Sequence, residues 1–334
     1  MPVPTRGVHH VSGMSGRPQE TIEFYFRVMG LRLVKRTVNY DDPRTYHLYF
    51  GDASGHPGSV LTFFPWPGAG PGHPGSGTAE VALRVPRGAL PYWRERLAAR
   101  GAAVETVERL GREVVAFADP DGTRLALVEG DEPPLPAPPP DADPASLLTP
   151  TRYFPAAGIA PEHAVLCVDA VTYLAPDVAA AEELLTRLLA LAVTARDEDR
   201  VRLAPVGAGE DAPRALELVR SPGGVGRLGR GSYHHVAFEV EDEAALEEGK
   251  RLVMGAGIAT TRVLDRTYFK SVYFAGPGGA TVELATRGPG FTVDEPFTEL
   301  GLALKLPSWL EAERQLIRAQ LPVTVSPEYS HLYG

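Results

Sequence analysis

One unit recurs four times along this 334-residue chain, at intervals of about fifty residues or a little more. Each copy reads strand, helix, then three strands. In the first, VHHVSGMS precedes a helical stretch from Arg17 to Met29, in which Ile22, Phe24, Tyr25 and Val28 fall at helical spacing and Gly30 ends the run; LRLVKRTVNY, TYHLYFGD and SVLTFFPW complete it. The second runs from AEVALRV through ALPYWRERLAARG to VVAFADPDGTRLALVEG. The third runs from DAVTYLA through AAAEELLTRLLAL to RALELVR. The fourth is the most regular, with HHVAFEV, EAALEEGKRLVMGAG, ATTRVLDRTY, SVYFAGPGG and TVELAT in order. An α+β fold of four βαβββ modules is expected. Between the second and third copies lies DEPPLPAPPPDADPASLLTP, whose prolines prevent regular strand or helix. This divides the chain into modules one and two (1–131), a linker (132–161), modules three and four (162–290), and a C-terminal helix and tail (291–334).

With 44% hydrophobic and 22% charged residues, the chain is long enough for two well-cored domains. A formal charge of -9 without any run of Lys or Arg argues against a nucleic-acid partner. The single cysteine, Cys167, cannot form an internal disulfide, and MPVPTRGVHH lacks the apolar stretch of a signal peptide or membrane span. A cytoplasmic location with no membrane contact is the expectation.

Two histidine pairs, His9-His10 and His234-His235, open strands at equivalent positions of the first and fourth copies. A lone strand histidine is more often a hydrogen-bonded core residue than a ligand; two such pairs in register within a repeat reverse that expectation. Side chains on a strand alternate between faces. His234 shares its face with Val236, Phe238 and Val240, the apolar side, whereas His235 goes with Ala237 and Glu239; likewise His10 goes with Ser12. In TVELAT, Val282 and Leu284 point one way and Thr281, Glu283 and Ala285 the other. His10, His235 and Glu283 therefore form a candidate two-histidine, one-carboxylate metal site. The other copies lack it: Glu80 and Ala170 stand where these histidines would be, while Phe63, Ala126 and Glu217 align with Glu283, making Glu217 a decoy. For His10 to meet His235 and Glu283, the first and last copies must share one open cup. The second and third are left to a degenerate cup without metal.

The order of these units, with GVHHVSG, GLRLVKRTVNYDDPRTYHLYFGD, HPGSVLTFFPW, SYHHVAF, DRTYFKSVYFAGPGGATVELAT and GFTVDE, resembles the vicinal oxygen chelate superfamily, which includes glyoxalases and extradiol dioxygenases, over nearly the whole chain. Within it the chain looks most like the ring-cleaving hydroquinone 1,2-dioxygenases. The resemblance implies two open cup-like mixed β-sheets flanked by helices, and maps the family's ligands onto His10, His235 and Glu283. It also implies supporting or catalytic roles for His9, Ser12, His234 and Arg266; Ser12 stands where threonine is commoner and keeps the hydroxyl. Arg266 would stabilise a bound phenolate, and a neutral histidine would accept the substrate's proton. Tyr268, Phe269 and Tyr273 are expected to wall an aromatic pocket. Three protein ligands leave room for substrate oxygen and dioxygen. The triad alone admits zinc or manganese, and the resemblance favours iron(II) acting on a small aromatic diol, a hydroquinone or a catechol. The alternatives are glyoxalase-type isomerisation, metal-dependent thiol transfer, and sequestration of a drug or aromatic compound.

The remaining histidines are expected elsewhere: His47 and His163 in structural roles, His56 and His73 in surface turns. PGAGPGHPGSG lacks the lysine and helix start of a phosphate cradle. A final helix, SWLEAERQLIRAQL, gathers its apolar residues on one face to cap a domain or support a homo-oligomer; nothing is assigned to Tyr329 to Gly334.

Overall fold

A computed structural model describes residues 2–73, 75–134, 152–155, 158–221 and 226–327. Most of the proline-rich linker, and the tail from Tyr329 to Gly334, lie outside the described residues. The first module comprises β1 (Val8–Ser15), α1 (Pro18–Ile22), β2 (Arg32–Asn39), β3 (Asp42–Gly51) and β4 (Val60–Pro65); the second comprises β5 (Gly77–Val85), α2 (Leu90–Ala99), β6 (Glu105–Arg109), β7 (Arg112–Ala118) and β8 (Arg124–Glu129). The third has β9 (Cys167–Ala175), α3 (Val178–Leu189), β10 (Leu191–Arg196), β11 (Arg200–Pro205) and β12 (Ala215–Arg220). The fourth has β13 (Tyr233–Val240), α4 (Glu243–Gly255), β14 (Leu264–Asp265), β15 (Lys270–Ala275) and β16 (Thr281–Thr286).

These strands form two mixed eight-stranded sheets, in the orders β14-β15-β16-β13-β1-β4-β3-β2 and β10-β11-β12-β9-β5-β8-β7-β6. The first joins modules one and four through antiparallel β1 and β13, and the second joins modules two and three through β5 and β9. The first and fourth modules thus meet in one sheet, as the candidate metal site requires. Gly7, at φ +90°, turns the chain into β1 where an added Cβ would meet the Arg214 carbonyl oxygen at 2.6 Å.

Helices cover the outer sheet faces with their apolar sides. Asp177 and Asp242 cap α3 and α4 by accepting from the amides of Ala180 and Ala245, and the helices bury Leu185, Leu188 and Leu189, and Leu246 and Val253. α2 buries Leu90, Trp93 and Leu97. α1 widens after Ile22 into a π-helical turn, Glu23–Val28, which buries Phe24, Tyr25 and Phe26 together. Tyr25 stacks on Phe63 at 4.4 Å and donates to Asp119 Oδ2 at 2.9 Å, tying module one to module two. The expected single C-terminal helix is instead a 3-10 turn, Ser308–Glu313, followed by a short α5, Arg314–Gln320. Ile317 is buried there, but Trp309 and Leu316 are exposed, so the apolar face does not dock as a unit. Residues C-terminal to the fourth module pack on module one: Arg32 and Arg36 donate to the carbonyls of Phe297 and Leu302, both at 2.6 Å. Fully buried Lys35 bonds Asp294 and Glu295.

The second cup is closed by guanidinium groups. Glu217 is held by Arg200 and Arg202, each at 2.6 Å, and Glu80 by Arg109. Asp169, 1% exposed, gathers Arg84, Arg112 and Arg202 at 2.5, 3.1 and 3.0 Å. Burial raises the pKa of Asp169, but the three arginines outweigh it and hold the carboxyl below the usual range. Removing one partner from such a network leaves charge buried without compensation. Asp169→Ala is expected to cost about 3–5 kcal/mol of stability, read as a lowered denaturation midpoint, with metal content unchanged.

Candidate metal centre and the cavity above it

The metal-site candidates lie at the centre of the first sheet. β1 pairs with β13 so that Ser12 faces His235 and His10 faces Ala237. On the other side of β13, parallel β16 sets Glu283 beside Ala237. Three side chains converge from adjacent strands: His10 Nε2 lies 3.4 Å from His235 Nε2, and Glu283 Oε2 lies 2.8 Å from His235 Nε2 and 3.3 Å from His10 Nε2. All three residues are buried. Among the described residues, no other group of three or more His, Cys, Asp or Glu side chains brings its ligand atoms together in this way.

The donors fit a divalent metal ion. Glu283 Oε1 accepts from the Ser271 hydroxyl, while Oε2 is buried without a hydrogen bond and faces the two imidazole nitrogens. Ligand atoms about 2.1 Å from a common ion stand about 3 Å apart when adjacent, and the three separations agree. Burial alone would raise the pKa of Glu283, but His10 and His235 outweigh it and hold the carboxyl well below its usual range.

Each of these two histidines is backed by its neighbour. His10 Nδ1 lies 2.9 Å from His9 Nδ1, and His235 Nδ1 lies 2.8 Å from His234 Nδ1. Burial, then the adjacent histidine, pushes His9 down to about 3 and His234 down to about 4, so both are neutral near pH 7. Each can therefore accept a hydrogen bond at Nδ1.

A cavity of about 310 Å³ opens over the triad. His10 and His235 reach it, and His234, Arg266, Phe269 and Tyr273 are among the residues that line it. The Arg266 guanidinium lies 5.3 Å from the Tyr273 ring centroid and 3.7 Å from the Asp41 carboxylate. Burial, then the Glu283 charge, raises the Tyr273 pKa, keeping its hydroxyl protonated. His9 lies beneath, with its ring centroid 5.1 Å from that of Phe269. Ser12 does not line the cavity; its hydroxyl bonds Thr62 Oγ1 at 2.8 Å.

Four expectations need correction. Tyr268 does not wall the pocket: its ring packs on Phe291 at 5.2 Å beneath the Lys35 ammonium, and its hydroxyl bonds Asp294 at 3.1 Å. Thr62, rather than Phe63, is the first module's counterpart of Glu283. It pairs with Ser12, two residues after His10, as Glu283 pairs with Ala237, two after His235. His47 is no mere packing residue, since it and Tyr49 line the cavity. His56 is half-buried rather than a free surface residue, bonded to Asp52 at 2.9 Å.

Residues 7–127 match the model of the glyoxalase/bleomycin resistance protein/dioxygenase superfamily. The chain is 39% identical over 321 residues, 95% of it and 99% of the relative, to a Bacillus subtilis protein named "Putative ring-cleaving dioxygenase MhqE". This chain belongs to that superfamily. A second relative, the chlorohydroquinone/hydroquinone 1,2-dioxygenase of Sphingobium indicum, is 31% identical over 333 residues, covering 95% of this chain and 97% of its own. A crystal structure of a "putative dioxygenase" from Bacillus subtilis superposes with a TM-score of 0.87 at 34% identity, over 97% of this chain and 99% of that one. Glyoxalase I from Zea mays, at 17% identity and TM-score 0.59 over 84% of this chain and 92% of that one, shares the superfamily's fold.

If the triad holds the metal, His10→Ala, His235→Ala and Glu283→Ala proteins loaded anaerobically with iron(II) will lose stoichiometric metal, measured by elemental analysis. Glu217→Ala will retain one ion per chain. Metal kept by Glu283→Ala, or lost from Glu217→Ala, contradicts the assignment.

Proposed function

We propose that this chain is a ring-cleaving dioxygenase of the extradiol type, acting with dioxygen on a small aromatic diol of the hydroquinone class at an iron(II) centre held by His10, His235 and Glu283. The observation that carries this function is the buried two-histidine, one-carboxylate set opening into an aromatic cavity. Such a set with open positions suits iron(II) and oxygen chemistry. The names of the relatives, a ring-cleaving dioxygenase and a chlorohydroquinone/hydroquinone 1,2-dioxygenase, support the substrate class. Iron(II) held there would supply a Lewis acid that also exchanges single electrons.

The surrounding residues have distinct tasks. A metal-bound histidine donates its second N–H to a partner, so His10 and His235 donate from Nδ1 to Nδ1 of His9 and His234. Neutral His234 must then carry its own proton on Nε2. It enters the cavity as a hydrogen-bond donor to substrate oxygen rather than as the proton acceptor expected from the sequence. Arg266 and protonated Tyr273, stacked together on the same wall, stabilise negative charge developing on the ring oxygen. Phe269 packs against His10 at 5.1 Å and excludes water from the ligand's edge. Ser12, two residues after His10 on β1, positions Thr62 on the neighbouring strand.

Anaerobically purified protein loaded with iron(II) is expected to consume one dioxygen per hydroquinone, methylhydroquinone or catechol turned over, measured with an oxygen electrode. His10→Ala and Glu283→Ala reduce the rate to background. Background uptake by the iron-loaded wild type with all three compounds rejects this function.

A further inference from the structure

The first sheet has an internal twofold relation extending beyond the metal ligands. Across β15 and β16, Glu283 faces Tyr273; across β3 and β4, Thr62 faces Tyr49. Since Thr62 is the counterpart of Glu283, Tyr49 is the counterpart of Tyr273. Both tyrosines line the cavity, one from each end of the chain.

Their settings differ. Tyr273 lies under the Arg266 guanidinium. Tyr49 has its hydroxyl 2.9 Å from His47 Nδ1, His47 Nε2 is 2.9 Å from Thr62 Oγ1, and Thr62 Oγ1 is 2.8 Å from Ser12 Oγ. The chain therefore runs from the cavity wall to the strand that carries His10. Of its neighbours on this wall, the Asn39 side-chain oxygen accepts from the Asp41 amide, and the Tyr40 hydroxyl bonds Thr267 at 3.0 Å.

We propose that Tyr49, held in place by His47, recognises the second ring oxygen of the substrate, the one not bound at the metal, and so selects aromatic diols over monophenols. This inference rests on the function proposed above. Every link from Tyr49 to Ser12 can run in either direction. If Thr62 donates to His47 Nε2, then His47 Nδ1–H donates to Tyr49, whose own proton is free to point into the cavity. If His47 Nε2–H donates to Thr62, Tyr49 donates to Nδ1 and offers lone pairs instead. A ring hydroxyl, which both donates and accepts, is met in either state. Burial keeps His47 neutral, which this exchange needs. Phenylalanine at Tyr49 would remove the hydroxyl and leave the substrate's second oxygen without a partner.

Anaerobic calorimetric titration of the iron(II)-loaded protein with hydroquinone and with phenol tests the assignment. The wild type is expected to bind hydroquinone about five- to tenfold more tightly than phenol. Tyr49→Phe should bring that ratio close to one while leaving the phenol affinity unchanged; His47→Phe, which frees Tyr49 from its support, should reduce it in part. Tyr273→Phe should weaken both ligands alike and preserve the ratio. A wild-type ratio near one, or a ratio unmoved by Tyr49→Phe, overturns the proposal. Oxygen uptake by the same wild-type sample separates the two levels: no uptake rejects the dioxygenase function, whereas normal uptake with an unmoved ratio rejects only the role of Tyr49.

Discussion

The antiparallel pairing of β1 with β13 is the constraint on which the rest of the structure depends. It joins strands separated by more than two hundred residues of chain, and its register, with His10 opposite Ala237 and Ser12 opposite His235, points both candidate ligand histidines to the same side of one sheet. A shift of one residue would turn one histidine into the helix-packed core. Parallel β16 then adds Glu283 from the neighbouring strand. Gly7, at the entry to β1, and Arg214, which donates from Nε to the Val8 carbonyl at 2.7 Å, hold the ligand strand in position from the other half of the chain.

The two sheets share an architecture but neutralise their interiors differently. In the first, a buried carboxylate faces two neutral-capable imidazoles and has one oxygen without a hydrogen bond. In the second, Glu217 occupies the same place as Glu283 but meets Arg200 and Arg202, and Asp169 lies among three further contacts to arginine. A guanidinium permanently supplies the positive charge that a metal ion would otherwise bring. This accounts for why a glutamate at the right parity is not by itself a metal ligand.

Much of the architecture was legible from hydrophobic periodicity, because each module alternates clearly between strand and helix patterns. The union of the first and last modules followed from the histidines themselves, since no other pairing brings His10 to His235. The less regular parts followed from packing that periodicity does not encode. The C-terminal segment broke into a 3-10 turn and a short helix against module one, and Tyr268 was drawn toward Lys35, Phe291 and Asp294 rather than the cavity. Aligning Phe63 instead of Thr62 with Glu283 had a specific effect: on a strand, an error of one residue exchanges the faces. It concealed the correspondence of Tyr49 with Tyr273, and with it the placement of His47 on the cavity wall. The relevant signal was present in TYHLYF, where His47 and Tyr49 share one face of the strand.

In the function proposed above, one metal ion joins the first and last modules of the chain. Anomalous diffraction at the iron edge, from crystals loaded anaerobically with iron(II), tests it most directly. A single peak per chain is expected, bounded by His10 Nε2, His235 Nε2 and Glu283 Oε2. A peak in the second sheet beside Glu80 and Glu217, or stoichiometric iron bound away from the β1–β13 seam, would contradict it.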